Sequence, residues 1–164
     1  MGPYRGDLRE LCLLLKHERN AWLALWLSEL FVEARRDVFG TLPANTLVVP
    51  VPLHWWRQWE RGYNQAEALA EGVARQLKLP VRRVLKRVVG TPKLADLGVT
   101  ARGDVMRGAF RARRRSKIIG RTVLLVDDVL TTGATCSAAA RALKQAGAVR
   151  VVVCVIARTE RTNL

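Results

Sequence analysis

Two aspartates, Asp127 and Asp128, stand side by side after the apolar run Val123–Val126, and Thr131, Thr132, Gly133, Ala134 and Thr135 follow after a two-residue spacer. Ionised carboxylates accept hydrogen bonds and cannot donate them. A pair of them is complemented by two neighbouring hydroxyls, as in a ribose 2′,3′-diol, or by a cation. The Thr-Gly run has the opposite character. Threonine hydroxyls donate, and Gly133 permits tight curvature and close approach of backbone N–H groups. A helix starting there turns the positive end of its dipole toward the loop, which suits a phosphate monoester. Both halves fit one ligand: a ribose gripped by its diol, with its 5′-phosphate in the cradle. A simple helix cap would use one threonine and leave the rest of the run unexplained.

The elements that must position these residues follow from periodicity. Residues 7–19 and 21–37 read as helices, with Leu8, Leu11, Leu14 and Leu15 on one face and Trp22, Leu25, Trp26 and Leu30 on another, both expected in the core. Thr46–Pro52 reads as a buried strand that its prolines should stop near Val49. A helix follows, with Ala66, Leu69, Ala70, Val73, Ala74 and Leu77 inward and Asn64 as its cap. Val81–Val89 reads as a strand, residues 90–103 as a long loop, and residues 108–112 as a short strand. A strand over residues 121–128 then brings both acids to its tip. The helix beyond Thr131 should end at Gly147, and Val149–Ala157 is an apolar strand. This alternation predicts an α/β fold with a mainly parallel central sheet flanked by helices. Ligands of such sheets gather at the carboxyl ends of the strands, where the double Asp and the Pro50–Pro52 loop both lie.

The run "VLLVDDVLTTGAT" resembles the phosphoribosyl pyrophosphate (PRPP) motif of type I phosphoribosyltransferases. More narrowly, "VPVPLH", "RGYNQAEALA", "RGAF", "IART" and the opening "YRGDLRELCLLLK" resemble the ComF family, competence-associated proteins with a phosphoribosyltransferase-like domain. The resemblance runs from about Tyr4 to Thr159. It implies a type I phosphoribosyltransferase-like fold over residues 41–164, with residues 1–40 as an N-terminal helical segment packed on it. It also implies that Asp127 and Asp128 hold the ribose hydroxyls, Asp128 stabilising positive charge that develops at the anomeric carbon. Thr131, Thr132, Gly133, Ala134 and Thr135 would hold the 5′-phosphate. Val51, Pro52, Leu53 and His54 would form the pyrophosphate loop, with Arg57 and Arg61 supplying charge. Mg²⁺ would be bound through PRPP or pyrophosphate oxygens rather than by a protein cage. The loop Gly90–Gly103 would be a flexible lid, in which Arg102 matches the family. Leu94 and Val105 depart from the family's usual Gln and Asn. The family's pattern opens with a cysteine-rich zinc module, and these residues contain none.

The net charge of +14 is concentrated: residues 81–121 carry thirteen basic and two acidic side chains. Such a segment attracts polyanions. Arg111, Arg113, Arg114, Arg115 and Lys117 form its densest cluster. Alternation on a strand would expose Arg111, Arg113 and Arg115 together. With Arg82, Arg83, Lys86 and Arg87 they suggest a face for single-stranded DNA, without base-specific readout. Trp55, Trp56 and Trp59, interleaved with Arg57 and Arg61, could stack bases or simply pack.

Cys12, Cys136 and Cys154 are scattered, which argues against zinc or a disulfide framework, and only His17 and His54 are present, so no protein metal site is expected. The first residues lack the apolar core of a signal peptide, and Ala21–Val32 is too short to span a bilayer. The expectation is a cytoplasmic protein without membrane insertion. Two functions remain open: an enzyme transferring phosphoribosyl groups from PRPP to an acceptor, or a DNA-binding competence accessory that keeps the PRPP site as a sensor or relic. A protein of the competence machinery is a further expected partner.

Overall fold

A computed structural model describes residues 2–17, 20–53, 59, 62–88, 108–113 and 117–159. His54, Arg57, Arg61, Arg102, Arg114, Arg115, Trp55, Trp56 and the expected lid over residues 90–103 lie outside the described residues.

Among the described residues the central sheet has four strands, β1 (Gly2–Pro3), β2 (Leu47–Pro50), β5 (Thr122–Leu130) and β6 (Arg150–Arg158), in the order β1-β6-β5-β2. Every neighbouring pair is parallel. The remaining strands, β3 (Leu85–Arg87) and β4 (Phe110–Ala112), form a separate antiparallel pair. Five helices complete the described elements: α1 (Gly6–Leu14), α2 (Ala21–Ala34), α3 (Arg36–Phe39), α4 (Gln65–Leu77) and α5 (Ala134–Gln145).

The sheet is apolar on both faces, as a parallel sheet covered by helices must be. Leu47, Val49, Val123 and Leu125 meet Ala138, Ala139 and Leu143 of α5 on one side. Val48, Leu124, Val126 and Ile156 meet Leu69, Ala70 and Val73 of α4, with Leu23 and Leu27 of α2, on the other. Odd and even residues of each strand thus serve different layers, the two-residue period of an extended chain.

Pro50 pairs with Val126, so β2 runs one residue past the expected stop at Val49. The reason lies in which side lacks the donor. Val48, two residues earlier, turns its N–H away from β5, to the carbonyl of Pro80, while Val51 donates inward to Val126. The missing N–H of Pro50 therefore falls on the side away from β5, where the ladder does not need it. The expected strand Val81–Val89 is also divided. Val81 forms a lone parallel bridge to Val48, and only Leu85–Arg87 forms a strand, against β4.

The expected core face of α2 is reversed. Trp22 is 64 % and Trp26 47 % exposed, and Leu25 and Leu30 also face outward. The buried residues are Leu23, Ala24, Leu27 and Ser28. α2 is apolar nearly all round, so periodicity does not choose a face. Steric fit does: a Cβ on Gly72 of α4 would lie 2.6 Å from Ser28 Oγ and 3.5 Å from Leu25 Cα. Helices this close admit only small side chains at the crossing. Ser28 Oγ donates to Ala24 O at 2.7 Å and is within 3.1 Å of Leu69 O, so its hydroxyl is satisfied in the interface. On α1, Leu14 is half-exposed while Cys12 and the following Leu15 are buried.

Candidate functional site

The run Thr122–Val126 is buried throughout, and β5 continues beyond it with Asp127 opposite Val155 and Val129 opposite Ala157. The two acids are therefore within the strand, three and two residues before its last residue Leu130, and not at its tip. The alternation that sorts the core also sorts the acids. Asp127 faces α5, where Cys136 Sγ donates to Asp127 Oδ2 at 3.8 Å. Asp128 faces α4, where Gln65 Nε2 donates to Asp128 Oδ2 at 3.0 Å. Backbone donors fix the other oxygens: Asp128 N–H reaches Asp127 Oδ1 at 3.0 Å, and Val129 N–H reaches Asp128 Oδ1 at 2.7 Å.

Both carboxylates nevertheless line one cleft of about 270 Å³. Thr131 and Thr135 line it too, and so do Val51, Pro52 and Leu53. The carboxyl end of β2 is bound there to β5, one residue before the two acids, by the Val51 N–H to Val126 O bond of 2.9 Å. Asn64 joins the same corner. Its Oδ1 accepts from Ala66 N–H at 3.1 Å as the cap of α4, and its Nδ2 donates to Val51 O at 3.3 Å.

Gly133 begins α5 with φ of +79°, a conformation that an L side chain rarely adopts. Thr132 Oγ1 lies 3.4 Å from the N–H of Ala134. The turn thus brings the start of α5 to the cleft, where Thr135, one residue past Ala134, lines the wall.

The electrostatics follow from crowding. Burial, and then the charge of Asp128, raise the Asp127 carboxyl well above the usual carboxylate range. Burial, and then the charge of Asp127, push the Cys136 thiol up to about 12. On the other face, burial and then Asp128 raise Tyr63 to about 12 and Cys12 to about 11. These thiols stay protonated at neutral pH and are not poised as nucleophiles. All three cysteines are free.

Four residues not singled out as site residues in the sequence also line the cleft: Tyr4 and Lys16 from the N-terminal segment, Gln65 at the start of α4, and Val129 on β5; Arg87 on β3, expected on the DNA face, lines it as well. Gln65 stood next to the predicted cap Asn64, which was a usable signal. Lys16 carries no local signal, and the charge cluster that marked Arg87 does not point to this cleft; only tertiary folding brings the two there.

On the strand pair, Arg111 and Arg113 are exposed as the alternation predicts, and Lys117 is exposed as well. Lys86 stands directly opposite Arg111 in the ladder. Arg83 departs from the expected basic face. Its guanidinium pairs with Glu67 at 3.0 Å and Glu71 at 2.5 Å, both on α4.

Residues 64–163 match the family model of the phosphoribosyl transferase domain. The chain is 34 % identical over 162 residues to "Competence protein F" of Haemophilus influenzae, covering 96 % of this chain and 71 % of that protein. It is 33 % identical over 164 residues to "DNA utilization protein YhgH" of Escherichia coli, covering 97 % and 70 %. Among solved structures, a glutamine PRPP amidotransferase from B. subtilis is similar in fold, with a TM-score of 0.53 at 19 % identity. That match spans 81 % of this chain and 26 % of the amidotransferase, about a quarter of its length.

Proposed function

Because this chain belongs to the ComF family of competence-associated proteins with a phosphoribosyltransferase-like domain, we propose that its cleft binds PRPP or a related 5-phosphoribosyl ligand with Mg²⁺, in the service of DNA uptake. One observation carries the reading: two carboxylates and two threonines of the Thr-Gly turn line a single cleft at the carboxyl ends of parallel strands. The acids accept from the ribose hydroxyls. Thr131, Thr135 and the start of α5 receive the 5′-phosphate. Val51, Pro52 and Leu53 border the pyrophosphate end.

Among the described residues, no cluster of three or more His, Cys, Asp and Glu could hold a metal ion by itself. Mg²⁺ asks for less: hard oxygens from one or two carboxylates, completed by ligand phosphates and water. Asp127 and Asp128 fit that demand. When bound, Mg²⁺ would neutralise the pyrophosphate and ease its departure. Asp128, held in place by Gln65 and by the Val129 N–H, is the carboxylate set to stabilise positive charge developing at the anomeric carbon.

The test is a thermal-shift titration with PRPP, ribose 5-phosphate and pyrophosphate, with and without Mg²⁺. Ligand at a hundred times its Kd stabilises the folded state by about 2.7 kcal/mol. PRPP with Mg²⁺ should therefore raise Tm by several degrees, and Asp128→Asn should remove the shift. No shift with any of the three ligands overturns the reading.

A second reading, single-stranded DNA binding on the β3–β4 face, is favoured by the Lys86–Arg111 pair. Like charges directly opposite on a ladder are unfavourable alone, and a phosphate backbone relieves them. Binding should fall steeply with salt. It should weaken in Arg111→Ala/Arg113→Ala and survive in Asp128→Asn. Salt-independent or absent binding refutes it.

A further inference from the structure

The cleft that holds the two acids also holds a cation that they do not use. Lys16 lines its wall from the N-terminal segment, together with Tyr4. The main chain there is fixed. Leu15 is fully buried, and the N–H groups of Leu15, Lys16 and His17 donate to the carbonyls of Leu11, Leu13 and Leu14 at 2.9, 3.1 and 3.2 Å. Lys16 follows the buried Cys12 by four residues, about one helical turn. Cys12 belongs to the apolar cluster of Val126 and Ile156, on the α4 face of the sheet. Burial and then Asp128 raise its thiol, and Lys16 lowers it, so the ammonium and the Asp128 carboxylate both act on that spot. A lysine kept to neutralise the acids would pair with them. Lys16 forms no ion pair or side-chain hydrogen bond with any described residue. The Asp128 oxygens hold Gln65 Nε2 and the Val129 N–H instead.

An ammonium left over in a cleft is placed for an anion that arrives with the ligand. Lysine suits phosphate oxygens: it is a point charge with three donors, on a four-carbon stem that bends to meet them. The side of the sheet decides which phosphate. Thr131, Thr135 and the start of α5 receive the 5′-phosphate, whereas Lys16 shares the α4 face with Asp128, the carboxylate set beside the anomeric carbon. The geometry points to Lys16 as the residue that binds the pyrophosphate carried by the anomeric carbon, joining Val51, Pro52 and Leu53 at that end of the cleft. The inference rests on the phosphoribosyl reading of the cleft and deepens it. It makes the N-terminal segment part of the site, and it makes the site read two anions rather than one. The acids and the Thr-Gly turn meet the same sugar and the same 5′-phosphate in PRPP and in ribose 5-phosphate. A cation at the anomeric end tells the two apart.

The experiment is isothermal titration of the full chain with PRPP and with ribose 5-phosphate, both in Mg²⁺. The wild-type protein should bind PRPP tighter by about tenfold or more. Lys16→Met keeps the apolar stem and removes the ammonium. It should weaken PRPP by about tenfold or more, the scale of a lost bond to a charged group, while ribose 5-phosphate weakens by less than about threefold. Lys16→Gln, neutral but polar, must show the same split. Equal losses for both ligands overturn the assignment, because a structural role or a contact with the 5′-phosphate acts on both. Unchanged PRPP affinity in either variant overturns it too. If the wild type binds the two ligands equally well, the assignment alone falls; if it binds neither, the phosphoribosyl reading falls with it.

Discussion

Gly72→Ala sets two known effects against each other. Alanine is favoured over glycine within a helix by about 1 kcal/mol, and Gly72 lies well inside α4. On propensity alone the variant should be more stable. The new methyl carbon, however, would lie 2.6 Å from Ser28 Oγ and 2.7 Å from Ser28 Cβ. Ordinary contacts need most of an ångström more. Cβ is rooted in the backbone of α2, so no rotamer change clears both atoms and the helices must part. Overpacking of this kind costs about 1–3 kcal/mol. Moving α2 away also strains the Ser28 contact to Leu69 O, worth about 1 kcal/mol. The penalty exceeds the propensity gain, leaving a net loss of about 1–3 kcal/mol. For a chain of this size that lowers Tm by roughly 2–12 °C. Thermal melts followed by circular dichroism, with urea midpoints, measure it. Gly72→Ala combined with Ser28→Gly should recover part of the loss, since the clash is with that side chain. A Gly72→Ala protein more stable than wild type would refute the account of how α2 packs on α4.

Asp127→Asn tests the electrostatics. Because the folded state raises the Asp127 carboxyl, that state binds its proton more tightly than the unfolded chain does. The stability this lends is complete below the ordinary carboxylate range and is lost as pH rises through the raised value, at about 1.4 kcal/mol per pH unit of that window. The variant should therefore melt higher than wild type at pH 7 and above, converge with it near pH 4, and lose the PRPP shift; melts across pH decide this, and an equal gap at both ends counts against it. Leu124→Ala, at a fully buried site of the central strand, should cost about 2–5 kcal/mol by urea denaturation. Trp22→Gln with Trp26→Gln should change Tm little despite removing two large apolar groups, because both face outward; a loss comparable to Leu124→Ala would mean that this face is packed.

Much of the architecture was legible because it rests on local signals. The apolar runs at Val48, Val123–Val126 and Val151 mark strands buried on both faces, and the Thr-Gly turn marks the start of α5. Asn64 announced itself as a cap by preceding an amphipathic run. Other features were illegible for identifiable reasons. In α2 both faces are apolar, so the choice between Trp22 and Leu23 depended on Gly72, forty-five or more residues away. The end of β2 depended on which side of Pro50 faces a neighbour, which composition does not encode. The double Asp was placed at a strand tip, since nothing nearby reveals that the ladder continues to Leu130. Lys16 and Arg87 reach the cleft only through tertiary folding.

The alternation of β5 has a mechanical consequence. Asp127 engages the layer containing α5, and Asp128 engages the layer containing α4 and the N-terminal helices. A ligand gripped by both acids is thereby riveted through the sheet, and its arrival is felt on both sides at once. Hydrogen exchange should slow in α4 and α5 together, although the two helices lie on opposite faces of the sheet. Such a rivet would report occupancy to the rest of the molecule whether or not a bond in the ligand is ever broken.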